Sequence, residues 1–188
     1  MAVRAHAKVS VIGVALVALG VLVAAPVSSA FATSGTATLT GGSLSMATPA
    51  VVTFAATLNG AAQVAPSTQV FDVSDNTGSG SGWNITLTST TFTGSAGPLS
   101  TAATTDTGAS GACDASITCV LGTNSGVSYP VTVPAGTTAP AAIKIQGALA
   151  NTGLAGQTWT HNMALAIPAT ARFGAYFSTW TYSLVSGP

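Results

Sequence analysis

Gly82-Trp83-Asn84-Ile85-Thr86-Leu87-Thr88 is the stretch on which the fold turns. Trp83, Ile85 and Leu87 alternate with Asn84, Thr86 and Thr88, so in an extended chain the apolar groups share one face and the polar groups the other. This predicts a strand over 83–92 with one side against a core and one side in water.

The flanking sequence repeats the pattern. Upstream, 68–75 sets Phe71 and Val73 opposite Val70 and Asp72, and 76–82 is a turn of Thr, Gly and Ser. Before it, Thr36-Ala-Thr-Leu-Thr40, Ser43-Leu-Ser-Met-Ala-Thr48 and Val51-Val-Thr-Phe-Ala-Ala-Thr-Leu58 are β-rich runs cut by Gly41-Gly42, Pro49 and Asn59-Gly60. Downstream, Ala142-Ile-Lys-Ile-Gln146 is a further strand signal. Met163, Leu165 and Ile167 alternate before Pro168, and Tyr176, Trp180, Tyr182 and Leu184 fall at even spacing along a closing strand. Between these lies 94–140, rich in Thr, Gly and Ala, read as an elaborated insertion with two or three strands. No stretch keeps a helical period. Sheets with one apolar face each must cover that face, which predicts an all-β, antiparallel β-sandwich, Greek-key-like, of roughly nine to eleven strands.

Composition agrees with this class. Of 188 residues 47% are apolar and 4% charged, where about a quarter charged is usual. Arg4, His6 and Lys8 precede an uncharged Val/Ala/Leu run over 9–25, followed by Ala30-Phe31-Ala32, a small-x-small site. That is the layout of a signal peptide over 1–32 cleaved after Ala32. An uncleaved anchor is the alternative, since the run is near the lower length for a membrane span. Residues 33–188 form the single domain expected outside the membrane; 46 of them are Ser or Thr, which suits strands and turns.

After residue 32 the only cations are Lys144 and Arg172, set against Asp72, Asp75, Asp106 and Asp114. A nucleic-acid partner needs a basic footprint, as does electrostatic recruitment to anionic lipid, and two cations provide neither. Near-zero charge favours association instead, and Thr-rich strands leave sheet edges with little protection against pairing.

Cys113 and Cys119, the only cysteines, lie in a loop-like segment of a chain read as exported, so a disulfide is expected. Metal binding is the competing use, but the pair offers two ligands where structural zinc takes four. No metal or other cofactor is expected. His161 is the only histidine after residue 32 and reads as a turn residue ahead of the Met163 strand. No Gly-x-Ser-x-Gly elbow accompanies it, and Asp72 and Asp75 face opposite ways on one strand, wrong for a paired-carboxylate site. The Asp75-Asn76-Thr77-Gly78 run reads as a turn that caps its own backbone, with calcium as the lesser alternative. Enzymatic activity is not expected.

Taken in order, Gly42-Ser-Leu-Ser-Met-Ala-Thr-Pro49 with Phe54, Val70-Phe-Asp-Val-Ser-Asp75, Gly82-Trp83-Asn84-Ile85, Phe92 and the terminal Tyr176…Trp180-Thr-Tyr182-Ser-Leu184…Pro188 resemble the WxL domain of Gram-positive surface proteins. Ile85 stands where that family has Leu, and Tyr182 where it has a second tryptophan. The resemblance implies non-covalent attachment to peptidoglycan or another wall glycan, at the cell surface, beside a membrane-anchored WxL-interacting protein. The positions it singles out for wall binding are Trp83, Asn84, Ile85, Trp180, Tyr182 and Leu184. Each indole has two possible uses, core packing or stacking on sugar. A structural subunit that self-assembles into a surface layer, filament or spore coat is the second reading of the same composition.

Overall fold

The longest register in the molecule runs between β2 (Gln63–Asp75) and β10 (Ala155–Ile167), antiparallel from Ala155↔Asp75 to Ile167↔Gln63. The computed structural model describes residues 34–188, so the expected leader over 1–32 lies outside the described residues. Leu39–Pro188 forms the compact unit.

β10 is central because it alternates along its whole length. Gln157, Trp159, His161, Met163 and Leu165 point inward and are buried, while Thr158, Thr160 and Asn162 take the other face. On its far side β10 pairs with β6 (Thr104–Cys113), with a register shift between Asn162 and Met163. β1 (Leu44–Ala47) and β7 (Val131–Thr132) complete a five-stranded sheet in the order β1-β2-β10-β6-β7.

The second sheet is built on β3 (Trp83–Thr90). β12 (Trp180–Ser186) pairs with one edge of β3, and β9 (Ile143–Ala148) and β8 (Ala135–Gly136) with the other, β8 in parallel. The short strands β4 (Thr93–Gly94), β5 (Gly97–Pro98) and β11 (Tyr176–Phe177) form a third sheet in the order β11-β4-β5. The all-β expectation is met, with no helix among the described residues. Twelve strands are described, five of them only two residues long. Phe71, Val73, Trp159 and Met163 of the first sheet and Trp83, Ile85, Leu87 and Ile145 of the second meet in one core, so each apolar face is covered by the other.

Three sequence expectations change. The runs at 36–40 and 51–58 form no strand. β1 leaves β2 at Ala47↔Asp72, two residues before Pro49, so 51–58 does not continue along the β2 edge. The 94–140 stretch supplies an inner strand rather than only an insertion. β6 has almost no large side chains because it passes under Trp159: a Cβ on Gly111 would lie 2.8 Å from that indole ring. Close approach by glycine here leaves room for the ring. The sulfurs of Cys113 and Cys119 are at bonding distance, with Cα atoms 5.5 Å apart, and tie the end of β6 to the following loop.

Candidate functional site

The two motif strands at the ends of the domain sequence lie side by side. In the β3–β12 register Leu184 faces Ile85, Tyr182 faces Leu87 and Trp180 faces Ser89. Cross-strand partners share a face, so all these side chains turn toward the core. Their exposure then diverges. Trp83 and Ile85 are fully buried, and Trp83 Nε1 donates to the Gly153 carbonyl at 2.9 Å. Both positions were candidates for wall contact; the structure places them in the core, out of reach of any surface ligand. Asn84, half-buried on the opposite face, donates from Nδ2 to the Gly187 carbonyl and ties the chain end to β3.

Trp180, Tyr182 and Leu184 are half-buried and pack against the core's rim. Their rings join a run of aromatics: Phe71 to Tyr182 at 5.0 Å, Tyr182 to Trp180 at 6.2 Å, and Trp180 to Phe54 and Phe92 at 6.1 and 6.4 Å. Trp180 and Tyr182 also line a cleft of about 360 Å³ whose other walls include Thr48, Phe92, Tyr176 and Ser178, with no charged residue. Trp180 Nε1 and the Tyr182 hydroxyl have no hydrogen-bond partner among the described residues. Both atoms are shielded from solvent, so they belong to the core rim rather than to the cleft surface, and each is a costly unpaired polar group. Burial holds the Tyr182 phenol above its ordinary range, and the Asp106 carboxylate adds to the effect. Tyr182 therefore stays a neutral donor.

Comparison with protein-family models, curated proteins and solved structures finds no match.

A buried histidine–aspartate pair lies deeper. His161 is not a turn residue but the middle of β10, where a loop would have left it exposed; both it and Asp106 of β6 are fully buried, with Nδ1 2.6 Å from Asp106 Oδ2. The β10–β6 register shift falls beside them, at Asn162/Met163. His161 Nε2 has no partner among the described residues, so no hydroxyl or thiol sits where a nucleophile of a Ser-His-Asp site would be. A carboxylate–imidazole pair sealed in the core, edge-on to Phe71 at 5.1 Å, is placed to orient packing rather than to meet a substrate. Asp106 carried no signal in the sequence: it is one acid in a Thr/Gly/Ser run.

Asp75 does what its turn position implied, accepting from Thr77 N at 3.0 Å and Thr77 Oγ1 at 2.7 Å. Among the described residues no group of three or more His, Cys, Asp or Glu is arranged to hold a metal ion. No helix among them is long and apolar enough to cross a membrane. The exposed rings of Phe173 and of Phe177, which also lines the cleft, were not singled out by the sequence, because isolated phenylalanines in a Gly/Ala stretch show no period.

Proposed function

We propose that this protein is a secreted, non-catalytic surface protein held non-covalently at the bacterial cell wall through a WxL-like domain. The cleft at Trp180 and Tyr182 carries the reading. It joins aromatic rings with the hydroxyl-bearing Thr48, Tyr176 and Ser178 and carries no charge, a combination suited to a neutral saccharide: the rings meet sugar faces and the hydroxyls meet sugar oxygens. Adjacent pairing of the Trp83-x-Ile85 strand with the closing strand supports the WxL resemblance, because the two stretches that carry it become one structural unit. In this reading Trp83, Ile85 and Leu184 hold the sheet on which the cleft is formed, while Trp180 and Tyr182 make the contact. Peptidoglycan or another wall glycan is the ligand, and a membrane-anchored WxL-interacting protein is the expected neighbour.

The test is co-sedimentation of purified residues 33–188 with isolated Gram-positive sacculi. Wild type should pellet with the wall, while folded Trp180→Ala and Tyr182→Ala variants should stay in the supernatant. A wild-type protein that remains soluble in the presence of sacculi sinks the proposal.

A further inference from the structure

Residues 51–58, Val-Val-Thr-Phe-Ala-Ala-Thr-Leu, leave their backbone hydrogen bonds unmade. The segment keeps a strand's alternation at its start, with Val52 and Phe54 half-buried and Val51 and Thr53 exposed. Yet it pairs with no strand, and no backbone–backbone hydrogen bond reaches it among the described residues. Its one hydrogen bond is the Thr57 carbonyl accepting from Gln63 Nε2 at 3.0 Å. A β-forming segment with free N–H and C=O groups, no lysine and no proline is a template for a further strand.

The same segment is one wall of an apolar groove of about 850 Å³; the facing wall is 171–177, and Leu99, Leu165 and Ile167 lie between. Phe173 is 91% exposed on the rim, with Phe177 at 74%. Arg172 is the only charged residue lining the groove and has no ion pair among the described residues.

We infer that a second copy of this chain covers the patch, with the 51–58 segments pairing antiparallel about a two-fold axis. Three features favour that occupant over a glycan or a lipid. Regularly spaced amide groups are met by another extended backbone. The segment is uncharged, so an identical strand laid against it meets no repulsion. Knob and groove occupy one patch, so each Phe173 can enter the other copy's groove, as an isologous interface requires. The guanidinium of Arg172, without an acceptor among the described residues, then meets free carbonyls of the partner's 51–58 segment. This goes beyond wall attachment, and it touches the same surface, because Val51, Val52, Phe92, Tyr176 and Phe177 line both the cleft and the groove.

Sedimentation equilibrium of residues 33–188, over a wide concentration range and without wall material, tests the inference. Wild type should approach twice the chain mass as concentration rises. Thr53→Pro, which removes one N–H at an exposed position, and Phe173→Asp, which alters a side chain already in solvent, should both stay at the monomer mass with unchanged circular dichroism. A wild-type protein that is monomeric throughout overturns the inference and leaves the groove to another occupant, such as an apolar peptide or a lipid. A dimer that persists in both folded variants overturns it too. Failure here is separable from failure of the wall reading: a monomeric Phe173→Asp protein should still pellet with sacculi.

Discussion

Trp83 and Trp180 stand at opposite ends of β3, on the same face of the same sheet, about 20 Å apart along the strand. Their surroundings differ in every respect that matters. At the Trp83 end three glycines bring backbone onto the core rings: Gly153 and Gly122 lie against Trp83, and Gly111 and Gly122 against Trp159. Gln157, fully buried, fastens this cover by accepting from Gly122 N at 2.9 Å and donating to the Val120 and Leu154 carbonyls. At the Trp180 end the corresponding cover is missing. Residues 51–58 and 171–177 stand apart around a cleft and a groove, and the indole N–H has no partner. Alternation along a strand thus decides which way a ring points, while segments distant in sequence decide whether it is sealed.

The largest expected effect tests that difference directly. Trp83→Ala empties a fully enclosed site and should cost about 3 to 5 kcal/mol, whereas Trp180→Ala, starting half-exposed, should cost about half as much. Urea unfolding measures both. Gly153→Ala should act like the Trp83 change without deleting an atom, because its φ is +72° and its Cβ would fall 2.4 Å from Trp83 Nε1. Equal losses for Trp83→Ala and Trp180→Ala would erase the distinction between the two ends.

The comparison also explains what the sequence could reveal. β3, the second half of β2 and the closing strand were legible because large apolar residues occupy successive inward positions: Trp83, Ile85 and Leu87, then Phe71 and Val73, then Trp180, Tyr182 and Leu184. β10 was legible only from Met163 onward: its earlier inward positions are Gln157, Trp159 and His161, and polar residues on both faces hide the period. β6 was hidden for the opposite reason, since ring clearance demands glycine and small residues there, and that composition reads as a loop. The 51–58 segment misled in the other direction. Its local preference is for strand, but no strand among the described residues pairs with it, and pairing is a long-range property that local pattern does not contain. At the candidate site Trp180 and Tyr182 were singled out by the WxL resemblance and Ser178 is their near neighbour in sequence, but Thr48 comes from a distant loop. The burial of Trp83, which separates core from site, depends on Gly153, 70 residues away.

A middle-sized effect concerns the cover itself. The Cys113–Cys119 link closes a short loop, so replacing both with serine should cost about 2 kcal/mol at most. It should also loosen 114–123 over the Trp83 end selectively. Hydrogen exchange should therefore quicken at Gly122 and Val120 while amides of β12 keep their rates; uniform acceleration would show that the link steadies the whole fold.

The smallest expected effect separates two half-buried tyrosines. The Tyr129 hydroxyl donates to the Ile145 carbonyl at 2.6 Å and accepts from Asn124 Nδ2 at 3.0 Å, whereas that of Tyr182 has no partner. Tyr129→Phe strands a buried carbonyl and should cost about 1 kcal/mol, while Tyr182→Phe removes an unpaired polar group and should be neutral or slightly stabilising. Both phenols share an alkaline signature. Burial pushes Tyr129 up to about 12, and burial with the Asp106 charge also raises Tyr182. The folded chain then keeps protons that the unfolded chain releases from about pH 10 upward. Their stabilising contribution is complete below that pH and is lost as pH climbs through the folded values, so the urea midpoint should fall steadily above pH 10. Tyr182→Phe should flatten that fall without lowering the midpoint at neutral pH. If it lowers the neutral midpoint as much as Tyr129→Phe does, the hydroxyl has a partner in solution, and the cleft at Trp180 is sealed rather than open.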